Sequence, residues 1–112
     1  MAFLRRPTFV LLPLLLLALA CQRPEPTLAR LRAALDGATA NNVWTARDAV
    51  KVGALEGFHV LGEEFEVVAY RHRSPDAARA WAKRHGALQN GPLTMTVVKD
   101  VNGVAGSIFV GL

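Results

Sequence analysis

The clearest pattern along the chain is a short basic start followed by an uninterrupted apolar run. Arg5 and Arg6 precede residues 9–20, which are twelve residues without a charge. A basic segment, an apolar stretch of this length and small residues at its end are the layout of a secretory signal peptide. A membrane-spanning helix is not expected, because it takes roughly 20 apolar residues to cross a bilayer. The pattern therefore predicts a cleaved signal peptide over residues 1–20.

Two helices are predicted in the first part of the remaining chain. Thr27 is placed to cap a helix over residues 28–36, in which the leucines fall on one face at helical spacing. These leucines are Leu28, Leu31 and Leu35. Thr45 and Asp48 have the spacing of a capping box, in which an acidic residue follows a threonine by three positions. A second helix is therefore expected over residues 46–56, with small residues on its packing side.

The middle of the chain predicts a pair of strands followed by a helix. Residues 58–61 and 65–72 are rich in aromatic and β-branched residues, and the longer segment alternates between two faces. A polar turn joins them, so they are expected to form a hairpin. Ser74 and Pro75 then make a strong helix start, since serine caps and proline suits the first helical position. This helix is expected to end at His85, where basic residues favour the last turn.

The C-terminal part predicts a second pair of strands. Residues 93–99 alternate between apolar and polar positions, and residues 104–112 form a glycine-punctuated apolar stretch. Residues 100–103 include Asn-Gly, which tolerates the positive φ angles of a hairpin connection. A right-handed crossover is expected to link the strand over 65–72, through the helix that starts at Ser74, to the strand over 93–99.

These elements together predict one small α+β domain over residues 28–112. Their order is helix, helix, strand, strand, helix, strand, strand. A mainly antiparallel sheet of about four strands, covered by helices on one face, accommodates this order. Residues 21–27 form a tether that contains two prolines. In a polyproline-like conformation, six tether residues reach about 19 Å.

Composition narrows the function classes. Removal of residues 1–20 leaves 112 − 20 = 92 residues, which suffice for one domain. The remaining chain has 13 − 2 = 11 basic and 9 acidic residues, a net charge of +2. Nucleic-acid binding is not expected, because it normally requires a strongly basic surface. Cys21 is the single cysteine, so no internal disulfide is available, and an unpaired reactive thiol is the alternative to a modified one.

The residues around Cys21 resemble the lipobox of bacterial prolipoproteins, which typically has Leu, then Ala or Ser, then Gly or Ala, before the cysteine. Ala20 and Cys21 match this pattern, while Ala18 and Leu19 depart from its commonest residues but remain small or apolar. The resemblance implies diacylglyceryl transfer to the Cys21 sulfur, cleavage before Cys21 and acylation of the new amino group. Because Gln22 rather than Asp follows the cysteine, export to an outer membrane stays open in a diderm bacterium.

The resemblance also implies a location. A lipidated Cys21 places the domain in the cell envelope, on the outer side of the cytoplasmic membrane, and makes the membrane a partner through the acyl chains. Each buried methylene of such a chain contributes about 0.8 kcal/mol, so two or three chains give stable attachment. Residues 44–112 loosely resemble small uncharacterised bacterial lipoproteins that end in a strand, an Asn-Gly turn and a strand. That second resemblance implies no activity.

One short segment has the composition of an anion-binding site. Arg71 and Arg73 lead directly into the helix that starts at Ser74. Backbone amides at a helix N-terminus and arginine side chains both bind phosphate groups, lipid headgroups or carboxylates. Asp76 already lies near the positive end of the helix dipole, so a solvated basic loop is the alternative interpretation.

Other chemistry finds little support in the sequence. His59, His72 and His85 lack zinc-ligand spacing, and no second cysteine exists, so no metal site is expected. The sequence contains no phosphate loop, dinucleotide fingerprint or nucleophile elbow, so no cofactor and no catalytic residue are predicted. Glu63, Glu64 and the nearby Glu66 are explained by a solvated turn beside a strand.

The sequence therefore predicts a lipid-anchored envelope lipoprotein whose small domain binds a partner and catalyses nothing. The partner is expected to be an envelope protein or a cell-wall component. The alternative is a carrier of a small ligand or anion that uses Arg71, Arg73 and Ser74. An enzyme that uses the histidines or glutamates is the third hypothesis, but it needs a positioned acid–base pair that the sequence does not reveal.

Overall fold

The computed structural model of the protein describes residues 25–112, so the predicted signal peptide and Cys21 lie outside the described residues. The helices are α1 (Leu28–Ala38), α2 (Pro75–His85) and α3 (Val104–Val110). The strands are β1 (Val43–Ala46), β2 (Glu56–Leu61), β3 (Phe65–Arg71), β4 (Leu88–Asn90) and β5 (Leu93–Asp100). A short 3₁₀ helix spans Val50–Val52 between β1 and β2.

The five strands form one antiparallel sheet in the order β1-β2-β3-β5-β4. The predicted α+β class and the antiparallel sheet are thus confirmed, with five strands instead of about four. The hairpin of β2 and β3 and the positions of α1, α2 and β5 also follow the predicted order. The crossover differs from the prediction, because β3 is antiparallel to β5. It ends instead in β4, which runs parallel to β3 with β5 between them.

The starts of α1 and α2 form through the local chemistry that the sequence indicates. Thr27 Oγ1 accepts a hydrogen bond of 3.1 Å from the Arg30 amide, and Ser74 Oγ accepts one of 3.1 Å from the Ala77 amide. Each bond satisfies an amide that has no partner within the first helical turn. At the other end of α2, Gly86 has a φ of 65°, a left-handed conformation that suits glycine at a helix end.

Helices cover both faces of the sheet, so the prediction that they cover one face is wrong. The first face packs against α1 and α3, and the second packs against α2 and the segment between β1 and β2. The physical reason is that β3 is apolar on both sides. The first cluster includes Leu31, Leu35, Phe58, Val60, Phe65, Val67, Met95 and Phe109, and the second includes Ala49, Ala54, Val68, Tyr70 and Trp81.

The helix predicted over residues 46–56 is absent, and β1 and the 3₁₀ turn occupy this region. Thr45 does not cap a helix, because it lies inside β1 opposite His59 of β2. The run Val-Trp-Thr is β-branched and aromatic, a composition that favours a strand. Gly53 adopts a φ of 76°, which ends the 3₁₀ turn and returns the chain to the sheet.

The prediction of a strand over residues 104–112 is also wrong, since these residues form α3 and its C-terminal end. The Asp100 carboxylate accepts hydrogen bonds from the amides of Ala105 (3.2 Å) and Gly106 (3.0 Å). These bonds satisfy the first turn of the helix and turn the chain away from the sheet. The partner of β5 at the sheet edge is β4, a strand that the sequence did not predict.

Candidate functional site

The predicted anion-binding residues lie together at one end of the sheet. Arg71 ends β3, Arg73 follows it, and Ser74 caps α2. They line a cleft of about 500 Å³, whose opposite wall is residues 25–29 at the start of α1. The segment over residues 71–74 is continuous in sequence, and the fold places it along one wall of a cleft.

Two of the three predicted residues already have hydrogen-bond partners within the protein. Arg71 Nε donates to Glu56 Oε1 at 2.8 Å, and the Ser74 hydroxyl accepts the capping hydrogen bond from α2. Arg73 is exposed. Glu25 and Glu56 also line the cleft, so the two arginines face two carboxylates in it. The cleft is thus a balanced polar surface in which Arg73 is the cation most accessible to an anion.

His72 also lines this cleft, but its burial disfavours the charged form of the ring. Its side chain is 3% exposed, and its Nε2 shares a hydrogen bond of 2.8 Å with Thr94 Oγ1. Burial lowers the pKa of His72 below its ordinary value, because the charged form loses its hydration. The ring lies 5.4 Å from the Trp81 ring and 6.4 Å from that of Tyr70. His72 therefore packs beside Trp81 and Tyr70 of the second cluster, where burial favours its uncharged form.

The three histidines occupy separate environments. His59 Nε2 lies 2.9 Å from Glu66 Oε2 on the second face of the sheet. His85 stacks on Trp81, with ring centroids 4.3 Å apart, at the end of α2. Among residues 25–112, no three His, Cys, Asp or Glu side chains are grouped closely enough to hold a metal ion.

A second concave surface, which the sequence did not indicate, lies between α1 and the edge strand β1. This groove has a volume of about 420 Å³, and its floor is formed by Trp44 and Phe58, whose rings meet edge to face at 5.1 Å. The Arg32 guanidinium lies 4.6 Å above the Trp44 ring, and Trp44 Nε1 donates to Asp36 Oδ1 at 3.3 Å. Trp44 is therefore contacted on its face by Arg32 and at its indole N–H by Asp36.

The groove combines residues from three elements. Leu28 and Arg32 come from α1, Trp44 and Ala46 from β1, and Phe58 from β2. Two local signals were present in the sequence: an Arg and an Asp four residues apart on α1, and the β-favouring run Val-Trp-Thr. Neither signal indicates by itself that α1 crosses the sheet next to β1, so the groove emerges only from the tertiary fold.

Two further findings concern the chain as a whole. In the part that the structure describes, no helix is long and apolar enough to cross a membrane. A comparison of the chain with protein-family models, curated proteins and solved structures finds no match.

Proposed function

We propose that this protein is a bacterial cell-envelope lipoprotein, anchored by acyl chains on Cys21, whose α+β domain binds a partner without catalysis. The observation that carries the proposal is the layout of the first 21 residues. Arg5 and Arg6, the uncharged run over residues 9–20 and the small residues before Cys21 together have the form of a lipoprotein signal. The partner is an envelope protein or a cell-wall component, and the near-neutral charge disfavours nucleic acid.

The fold gives this proposal an orientation. Thr27 caps α1, which begins at Leu28, so only the six residues 22–27 separate Cys21 from the helix, a distance of about 19 Å in a polyproline-like form. The start of α1 shares the cleft with Arg73 at one end of the sheet. An anchor at Cys21 therefore holds this end near the lipid headgroups. The turn between β2 and β3, which contains Glu63 and Glu64, lies at the opposite end and points away from an anionic surface.

A binding role is supported by the groove beside β1. It is concave, it is partly apolar, and an exposed cation, Arg32, stands at its wall. Partner-binding surfaces commonly combine an aromatic anchor with arginine, and Trp44 with Arg32 has this composition. The groove therefore offers the domain a recognition surface at the side of the sheet.

The intact mass of the protein purified from a membrane fraction tests the anchor. The expected mass corresponds to residues 21–112 plus two or three acyl chains, and Cys21→Ala should remain unacylated because the thioether cannot form. Ser107→Ala, which changes an exposed side chain far from the N-terminus, is the control and should be processed normally. A full-length, unmodified wild-type chain in the soluble fraction would refute the proposed function.

The cleft at Arg71, Arg73 and Ser74 supports a second candidate, the binding of a small anion. With inorganic phosphate at ten times its dissociation constant, binding stabilises the fold by about 1.4 kcal/mol. This corresponds to a rise of roughly 6–11 °C in the melting midpoint of a small domain. Arg71→Ala combined with Arg73→Ala should abolish the rise, and Arg73→Ala alone should reduce it. Arg84→Ala, at the far end of α2, should leave it unchanged. An equal shift in all variants excludes this site.

A further inference from the structure

The strand β1 forms an edge of the sheet, and its register shows which backbone groups face outward. The Arg47 amide donates to the Gly57 carbonyl at 3.1 Å, one step beyond the paired residues of β1 and β2. Backbone groups of an antiparallel strand alternate between its two sides. Thr45 therefore directs its N–H and C=O toward β2. Trp44 and Ala46 direct theirs away from the sheet, where no described strand lies beside them.

β1 is short, with four residues, but it carries none of the other devices that usually protect an edge strand. Proteins block such edges with short strands, lysine, proline, a bulge or a covering element. β1 contains only Val, Trp, Thr and Ala, its register with β2 is continuous, and Val43 is 60% exposed. The opposite edge, β4, is only three residues long, and Asn90 Nδ2 at its end donates to the Phe109 carbonyl of α3 at 2.9 Å. The end of β4 is thus bonded to α3, whereas no described strand lies on the outer side of β1.

The groove lies on the same side as the side chains of Trp44 and Ala46 and runs next to the open edge. An extended segment paired with β1 places every second side chain over this groove, because strand side chains alternate. The guanidinium carbon of Arg32 lies over the Trp44 ring and the side chain is exposed, so its N–H groups are accessible to a carboxylate. Glu56 also lines the groove, but its carboxylate accepts a hydrogen bond of 2.8 Å from Arg71 Nε. An acidic side chain placed next to Arg32, beside an apolar one, therefore fits this groove.

We propose that β1 binds an extended segment of a partner protein by strand addition, with an acidic side chain of that segment paired to Arg32. This inference deepens the proposed function, because it rests on the domain being a partner-binding module and names its mode of recognition. The main chain of the segment bonds to Trp44 and Ala46, and its alternate side chains enter the groove. Strand addition of this kind derives affinity from backbone hydrogen bonds and specificity from side-chain pockets.

The test uses the detergent-purified full chain and a phage-displayed library of random dodecapeptides. We expect enrichment of peptides with alternating apolar residues and one acidic residue. Ala46→Pro removes an outward N–H and blocks the edge, so it should weaken binding at least about tenfold. Ala46→Val retains the N–H and should bind within about twofold. Arg32→Ala should weaken acidic peptides several-fold, but not variants in which Gln replaces the acidic residue. Failure to enrich any peptide, or equal binding by Ala46→Pro, overturns the proposal.

Amide hydrogen exchange measured by NMR provides a readout that does not depend on any variant. A bound peptide should slow exchange of the Trp44 and Ala46 amides at least about tenfold and leave Thr45, which already bonds to β2, nearly unchanged. Slowing elsewhere without these two amides overturns the proposal. So does a dimer of the free chain that Ala46→Pro converts to a monomer, since a second copy then occupies the edge. None of these results depends on acylation of Cys21, so the anchor and the edge can fail separately.

Discussion

Phe109→Ala is expected to destabilise the domain by about 3–5 kcal/mol, because it removes a buried aromatic ring and leaves a cavity. Phe109 is fully buried and packs in the same cluster as Leu31 and Leu35 of α1. It fixes α3 against α1 and the sheet. A small domain has a total stability of about 5–15 kcal/mol, so this substitution removes a large share of it. Urea unfolding followed by circular dichroism measures the change.

Val110→Ala is the matched control, since Val110 is the next residue of α3 and is 70% exposed. It should change the free energy of unfolding by no more than about 0.5 kcal/mol. The contrast between adjacent positions tests the packing of α3 directly. A cost below about 1 kcal/mol for Phe109→Ala, or equal costs for the two variants, contradicts the packing of this helix on the core.

The C-terminal helix α3 also shows why the prediction of a strand over residues 104–112 is wrong. The pair Asn102-Gly103 predicts a hairpin turn, and Gly103 does have a positive φ of 68°. The local signal was therefore sound, but positive φ suits the entry to a helix as well as a hairpin. Asp100 decides between the two, because its carboxylate holds the first amides of α3. The apolar residues that follow then pack on α1, a contact between distant parts of the chain.

The error around residues 46–56 has a similar origin. Thr45 and Asp48 have capping-box spacing, but the side chains of a strand and of a cap are not distinguished by spacing alone. Small residues were expected to allow close packing, and Ala49 and Ala54 do pack closely, beside Tyr70 and Trp81. They do so from an irregular segment. Pairing with β2 over the whole of β1 outweighs the weak local preference for helix.

The accurate predictions depend on interactions within a few residues. The caps at Thr27 and Ser74 and the hairpin of β2 and β3 each form from neighbouring residues, so the sequence contains their full physical cause. The candidate sites divide in the same way. Arg71, Arg73 and Ser74 lie within four consecutive residues, so the sequence alone indicates them as one candidate site. The groove beside β1 lies between α1 and a strand that forms only by pairing within the sheet. No short-range signal in the sequence indicates that α1 and β1 lie next to each other.

Gly57→Ala is expected to destabilise the domain by about 1–3 kcal/mol, because there is no space for a methyl group at this position. A Cβ on Gly57 would collide with the Tyr70 ring on the neighbouring strand and lie 2.9 Å from the Ala69 carbonyl oxygen. The carbonyl belongs to the sheet and cannot withdraw. The ring is held in turn, since Tyr70 packs edge to face on Trp81 at 5.5 Å. Gly57 is thus needed for close approach of backbone and ring.

The same substitution at Gly37 should have the opposite effect. A Cβ there meets nothing within 4 Å, and Gly37 lies within α1, where alanine is favoured over glycine by about 0.5–1 kcal/mol. In urea unfolding, the midpoint should therefore rise for Gly37→Ala and fall for Gly57→Ala. Tyr70→Leu should relieve part of the collision, so the cost of Gly57→Ala in that background should shrink by about 0.5–2 kcal/mol. An unchanged cost would show that the Ala69 carbonyl, and not the ring, is the obstacle.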